Sequence, residues 1–168
     1  MQRVLVIGPC GSGKSTLAFA LGKRLDLPVH HLDAALWLPG WHEMERAEYL
    51  RHQEEIVAGE RWIIDGTHGS SLQLRLPQAD TVVYLDFPIP LCLWRIVRRV
   101  WTWRGRTRPD MGEDCPERFD LSFLWYVANW NSGPRVRLHR QLEGHWDKVE
   151  RLRSPRALER WMDSLRAE

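Results

Sequence analysis

The sequence predicts an α/β fold in which a parallel sheet is covered by helices on both faces. Two observations carry that expectation. Short apolar runs alternate with segments of helical composition along all 168 residues, as repeated strand, helix and strand units require. The first run, Val4-Leu5-Val6-Ile7, feeds directly into Gly8-Pro9-Cys10-Gly11-Ser12-Gly13-Lys14-Ser15-Thr16, which satisfies G-x-x-x-x-G-K-S/T, with the helix-compatible stretch Ser15 to Leu21 behind it.

The elements follow in order. A first strand at Val4 to Ile7 and a helix reaching Leu25 are expected around the glycine-rich loop. Leu27 to Asp33 reads as a second strand ending in an acid, followed by the turn-rich aromatic connection Leu36-Trp37-Leu38-Pro39-Gly40-Trp41. Glu43 to Ala58 has helical composition, with Gly59 placed to stop it. Arg61 to Thr67 and Thr81 to Asp86 are apolar on successive residues, as strands covered on both faces are. A helix is expected from Leu91 to Trp101, then Phe119 to Trp130 and Arg135 to Leu142, a short edge strand Lys148 to Leu152, and a closing helix Pro155 to Leu165. No repeat or linker divides the chain, so residues 1–168 form one expected domain.

The glycine-rich loop is expected to bind phosphates. A polyphosphate needs several converging donors, and Gly8, Gly11 and Gly13 can take backbone angles that turn successive N–H groups inward. The helix that follows adds free N–H groups and the positive end of its dipole. Ser12 and Thr16 complete the loop. Lys14 is placed to reach the β/γ-phosphates, and the Ser15 hydroxyl to ligate Mg²⁺. ATP and Mg²⁺ are the expected cofactors, although no guanine-selecting motif settles the donor base.

Acids end the next three strands, and ligands of open α/β sheets collect at such ends. Asp65 is the first candidate to hold Mg²⁺ through its water shell, with Asp86 as the competing candidate. Asp33 is the candidate for the acceptor site, where a carboxylate accepts a hydrogen bond from a substrate hydroxyl or takes its proton. The alternative for each is a cap or turn acid. Trp37 and Trp41 form either an aromatic wall for a ring or a small core beneath a loop.

The net charge of +2 excludes little, but its distribution is uneven. Six arginines and no acid lie between Trp94 and Arg108, while Asp110, Glu113, Asp114, Glu117 and Asp120 follow. This stretch reads as a mobile lid at about 101–118 whose arginines clamp phosphates, as a nucleic-acid surface, or as a solvated face paired with the acids. Arg95 and Arg99, four residues apart, share a helix face. In the lid reading, Glu113 and Asp114 hold the lid at rest. Cys10, Cys92 and Cys115 are odd in number and lack C-x-x-C spacing, which argues against a disulfide framework and a zinc site. Adjacent His30 and His31 point to opposite faces of a strand and cannot grip one metal. With no leader and no apolar run of spanning length, a reducing cytoplasm and no membrane partner are expected.

The assembled motifs resemble the adenylate-kinase-like P-loop NTPases. Within them the chain is similar to the group labelled DNA topology modulation proteins, through His31-Leu32-Asp33, Trp37-x-Pro39-Gly40-Trp41, Trp62-Ile63-Ile64-Asp65-Gly66, Leu85-Asp86-Phe87-Pro88, Thr107-Arg108-Pro109-Asp110-Met111 and Cys115-Pro116-Glu117. The wider resemblance implies a three-layer fold with five parallel strands in the order 2-3-1-4-5 and an arginine-rich lid. It implies a donor site at Gly8 to Ser15, a metal-side acid at Asp65, Arg95 against the donor base, Arg99 on phosphate, and a lid-exit arginine at Arg135 or Arg137. Unlike adenylate kinases, the chain follows Asp65-Gly66 with Thr67-His68-Gly69 and has no arginine until Arg75, which leaves the acceptor open between a nucleotide, a nucleoside and another hydroxyl compound. The expected function is Mg²⁺-dependent phosphotransfer from ATP to a small acceptor, a nucleotide or nucleoside ahead of other hydroxyl compounds. The rival is a nucleotide-responsive regulator that binds nucleic acid or protein, supported by Trp101, Trp103 and their arginines but not favoured by the small net charge.

Overall fold

The computed structural model describes residues 1–165. Strand β1 (Arg3–Ile7) leads through the glycine-rich loop into helix α1 (Lys14–Leu25), then β2 (Val29–His31) and the short helix α2 (Leu32–Leu36). A two-stranded hairpin, β3 (Trp37–Leu38) and β4 (His42–Glu43), precedes α3 (Arg46–Val57), β5 (Trp62–Asp65), α4 (Leu72–Arg75) and β6 (Thr81–Leu85). The second half holds α5 (Ile89–Trp103), α6 (Leu121–Ala128), α7 (Pro134–Gln141), β7 (Val149–Leu152) and α8 (Pro155–Ser164), with 3₁₀ turns at Trp130–Ser132 and Trp146–Lys148.

Five strands form one parallel sheet in the order β2-β5-β1-β6-β7. Counted along the chain within that sheet, this is the expected order 2-3-1-4-5. The three central strands are sealed on both faces: Val4 to Ile7, Trp62 to Ile64 and Val82 to Leu85 are wholly buried. Their unbroken apolar runs are what a sheet covered on each side demands. The core extends into α1 through Leu17, Ala18 and Leu21 and into α5 through Cys92 and Ile96.

The glycines of the loop let β1 turn sharply within this tight packing. Gly8 has φ 143°, and a Cβ there would lie 2.5 Å from the Leu85 carbonyl oxygen, so only glycine permits the approach.

Several sequence expectations shift. The second strand ends at His31, and Asp33 lies in the first turn of α2 instead of at a strand end. The aromatic connection is the β3–β4 hairpin. Helix α5 starts two residues earlier than expected and runs to Trp103, and the short α4 was not anticipated.

Asp86 follows β6 and is occupied by the fold itself. It accepts from Arg135 Nε and Nη2, each at 2.9 Å, from Arg151 Nη2 at 2.6 Å, and from the Tyr84 hydroxyl at 3.0 Å. Burial alone would raise its carboxyl, but the bonds from Arg135, Arg151 and Tyr84 hold it far below the usual carboxylate range. A folded-state value depressed in this way contributes stability that is complete above the ordinary aspartate value of 3.8 and is lost as pH falls below it. Asp86→Asn is expected to cost about 2 kcal/mol near neutral pH. Urea unfolding over an acid series checks this: the gap between wild type and variant must narrow as pH falls below about 4.

Candidate active site

Three segments meet at the carboxyl end of the sheet: the loop after β1, helix α2, and the loop after β5. They open on a cleft of about 550 Å³ lined by Gly8, Lys14, Asp33, Thr67, His68 and, opposite, Arg137. The loop is anchored at its first residue. Gly8 N–H donates to Thr67 Oγ1 at 2.9 Å, and the same hydroxyl donates to the Gly8 carbonyl at 2.7 Å. Gly13, with φ 98°, ends the loop as the N-cap of α1. Lys14 Nζ donates to the Pro9 carbonyl at 3.1 Å, so its ammonium is folded over the loop.

Two histidine–carboxylate pairs flank this loop, and neither was anticipated. His31 Nδ1 donates to Asp65 Oδ2 at 2.8 Å, and this bond raises the histidine above its ordinary value despite its burial. Parallel pairing sets His31 of β2 beside Asp65 of β5. The other oxygen, Asp65 Oδ1, is buried without a hydrogen-bond partner, as is Ser12 Oγ within the loop. In the second pair, His68 Nε2 donates to Asp33 Oδ1 at 2.9 Å. Asp33 is crowded by surrounding atoms, yet its side chain remains 53% exposed toward the cleft. Crowding alone would raise its carboxyl; the bond from His68 and the charges of His68, Lys14 and Arg108 outweigh it and bring it down to about 2. Asp33 is therefore a carboxylate throughout the working pH range.

The loop that carries Thr67 and His68 is held from within. Arg75 is wholly buried and donates to the carbonyls of Gly66, Thr67 and His68 at 2.9, 3.0 and 3.1 Å. It does not line the cleft. Its burial lowers its value to about 10, still far above neutral, so a full charge is kept. The three carbonyls stabilise that charge, and His68 is held at φ 30°, in the left-handed region.

Helix α5 delivers the arginines. Arg95 Nη1 donates to the Ser12 carbonyl at 2.8 Å and its guanidinium sits 5.5 Å from the Phe87 ring centre, beside the phosphate loop. Arg99 instead pairs with Glu117, Nη2 to Oε1 at 2.8 Å, and Arg108 Nε lies 2.8 Å from the other oxygen of Glu117. Arg108 also pairs with Asp110. Glu117, not the exposed Glu113 and Asp114, ties this segment to α5 through Arg99, while its pair with Arg108 and that of Arg108 with Asp110 lie within the segment. The segment lies on the β3–β4 hairpin: Gly40 N–H donates to the Asp114 carbonyl, Trp41 Nε1 to the Pro116 carbonyl, and Arg118 stacks over Trp41. Gly112 passes so close to the Trp37 carbonyl that any side chain would collide with it. Trp41 is thus packed beneath this segment, with Trp37 edge-on at 5.4 Å.

Of the two lid-exit candidates, Arg135 is committed to Asp86. Arg137 lines the cleft, and its guanidinium makes no hydrogen bond or ion pair with another described residue. Among the described residues no group of three or more His, Cys, Asp or Glu side chains is arranged to hold a metal by protein ligands alone, and no helix is long and apolar enough to cross a membrane.

No family model matches the chain, and no curated protein matches it. Among solved structures, it is similar to a shikimate kinase from Acinetobacter baumannii in complex with shikimate, with a TM-score of 0.63 over 99% of this chain and 92% of that one. The two chains share one fold, a parallel sheet between helices with a glycine-rich loop after β1. At 19% identity the likeness speaks for the architecture.

Glu117→Gln removes the charge that Arg99 and Arg108 share. It is expected to speed amide exchange across residues 104–118 by about tenfold or more while β1, β5 and β6 keep their protection. Hydrogen exchange read by mass spectrometry measures it, and unchanged exchange in that segment would show that backbone contacts alone hold it.

Proposed function

We propose that this chain is an ATP-dependent, Mg²⁺-requiring phosphotransferase whose acceptor is a small hydroxyl compound carrying negative charge. The observation that carries this reading is the cleft itself. Lys14 at the end of a phosphate loop and the ionised Asp33 face the same space.

The donor half follows from the loop. Its N–H groups, the unpartnered Ser12 hydroxyl and Lys14 bind the β- and γ-phosphates. Arg95, fixed beside the loop between the Ser12 carbonyl and Phe87, covers the donor nucleotide. Oxygen donors suit Mg²⁺: Ser15 Oγ would ligate the ion directly, and Asp65, with its unpartnered Oδ1, would hold it through its water shell. The ion would supply charge neutralisation between the β- and γ-phosphates. Asp86, bound by two arginines, is not offered for that role.

The acceptor half follows from Asp33. Its carboxylate accepts a hydrogen bond from the substrate hydroxyl and aligns that oxygen with the γ-phosphorus. As the new O–P bond forms and the bond to the β–γ bridging oxygen breaks, the hydroxyl proton passes to Asp33 and then to water. With its affinity for protons set so low, Asp33 acts more as an orienting acceptor than as a strong base. A loose phosphoryl transition state asks for no more. Arg137, across the cleft, is the charge that selects an anionic group on the acceptor, and Tyr126 and Trp130 wall the space between. The segment at about 101–118 is the lid, and Arg99 and Arg108 exchange Glu117 for phosphate when it closes. The neighbour solved with shikimate, and the resemblance of the motifs to those of adenylate-kinase-like proteins, both favour a small acceptor.

A panel of nucleosides, nucleoside monophosphates, polyols and hydroxy acids including shikimate, screened for acceptor-stimulated ADP release, identifies the substrate; a flat panel would reject the proposal. With an acceptor in hand, Lys14→Ala and Asp33→Asn are each expected to lower kcat/KM by about 10²-fold or more. Arg137→Met is expected to raise KM for an anionic acceptor about tenfold with little change for a neutral one. Because His68 and the charges around it hold the Asp33 carboxyl down to about 2, kcat/KM is expected to show no acid limb near pH 4 in a pH-rate profile.

A further inference from the structure

Helix α5 has a second face that the phosphotransfer site leaves unused. Arg95 and Arg99 point to the loop and to Glu117, whereas Trp94, Val97 and Trp101, spaced i, i+3 and i+7, form a stripe on the opposite side. They are 57%, 51% and 82% exposed. A tryptophan left so bare is unusual on a surface that water alone covers. The stripe continues onto the neighbouring helix: Val97 and Phe119 line one small hollow between α5 and α6, and Leu121 and Trp125 of α6 are each 72% exposed.

The charge around the stripe is of one sign. Exposed Arg98, Arg104, Arg106 and Arg118 flank it, and residues 87–109 contain no acid. Arg98 lies over the Trp94 ring, 5.5 Å from its centre. Two acids line the hollow between α5 and α6 and both are spent: Glu117 on Arg99 and Arg108, and Asp120 on the N-cap of α6, accepting from Ser122 N–H and Phe123 N–H. A second copy of the chain bringing the same face would set arginine against arginine, so self-association through this face is disfavoured. A nucleic acid would satisfy the arginines but gives Val97 and Leu121 nothing apolar to meet. Tryptophan and aliphatic side chains ringed by arginine match the boundary between headgroups and acyl chains, where indole is favoured and basic residues meet anionic lipids.

The geometry points to peripheral docking of this chain on an anionic phospholipid surface through the α5–α6 face. The helices lie on the bilayer without spanning it, and the cleft stays open to solution. Arg95 and Arg99 remain turned toward the nucleotide.

Flotation with vesicles tests this. The wild-type chain is expected to float with vesicles of phosphatidylglycerol and phosphatidylcholine, to float weakly with phosphatidylcholine alone, and to be released as salt is raised. Trp94→Ser combined with Trp101→Ser, both exposed and so compatible with folding, is expected to lower the bound fraction about tenfold or more. A combined Arg98→Gln, Arg104→Gln and Arg106→Gln variant is expected to lose the preference for the anionic vesicles. Failure of the wild type to float, or a tryptophan variant that floats as well as the wild type, would overturn the proposal. So would retention of a single-stranded oligonucleotide without vesicle binding, or a concentration-dependent dimer in light scattering that the tryptophan variant abolishes.

Discussion

The hydroxyl of Thr67 meets both polar groups of Gly8, and the rest of the site depends on that double bond. Gly8 is where the central strand stops being sheet and becomes loop. Its N–H and carbonyl leave the ladder at that point and need partners in a buried place. Thr67, two residues past the end of β5, supplies both with one oxygen, so the phosphate loop and the segment bearing His68 are fixed in mutual register. Arg75 fixes that segment from behind, and His68 then fixes Asp33. The chain of contacts runs from the loop to the Asp33 carboxylate without a gap.

Most of this framework was legible in the sequence where local pattern decided it. Continuous apolar runs identified β1, β5 and β6 because strands covered on both faces carry no alternation to obscure them. The loop motif was legible because its glycines and Lys14 are required at fixed spacing. Helix α2 was not, since five residues are too few to show a 3.6-residue period, and Asp33 was therefore placed on a strand. Arg75 gave no signal at all: its partners are main-chain carbonyls, which every residue possesses. Asp86 finds its arginines 49 and 65 residues away, a distance no local pattern reaches. The His31–Asp65 pair was within reach, because two parallel neighbouring strands both end in polar residues and register sets those ends side by side.

Two acids divide the arginines of this chain by the same device. Asp86 joins Arg135 and Arg151 at the sheet end, and Glu117 joins Arg99 and Arg108 outside it. The first cluster is closed further by Tyr84 and belongs to a packed sheet edge. The second involves a segment with few buried apolar contacts, where Cys115 is among the few side chains fully withdrawn from solvent. Both carboxylates are withdrawn from water to a similar degree, so the two clusters differ in the apolar packing around them and not in the exposure of the pairs.

The hairpin on which residues 104–118 rest begins at the end of α2, the helix that carries Asp33. A displacement of that segment is therefore felt, through Trp37 and Trp41, by the element that presents Asp33. For the phosphotransferase proposed above, this would make donor and acceptor linked: whatever factor one imposes on the affinity of the other is returned in equal measure. The currency of that exchange is the contact between an aromatic hairpin and a glycine, Gly112, small enough to lie flat against it.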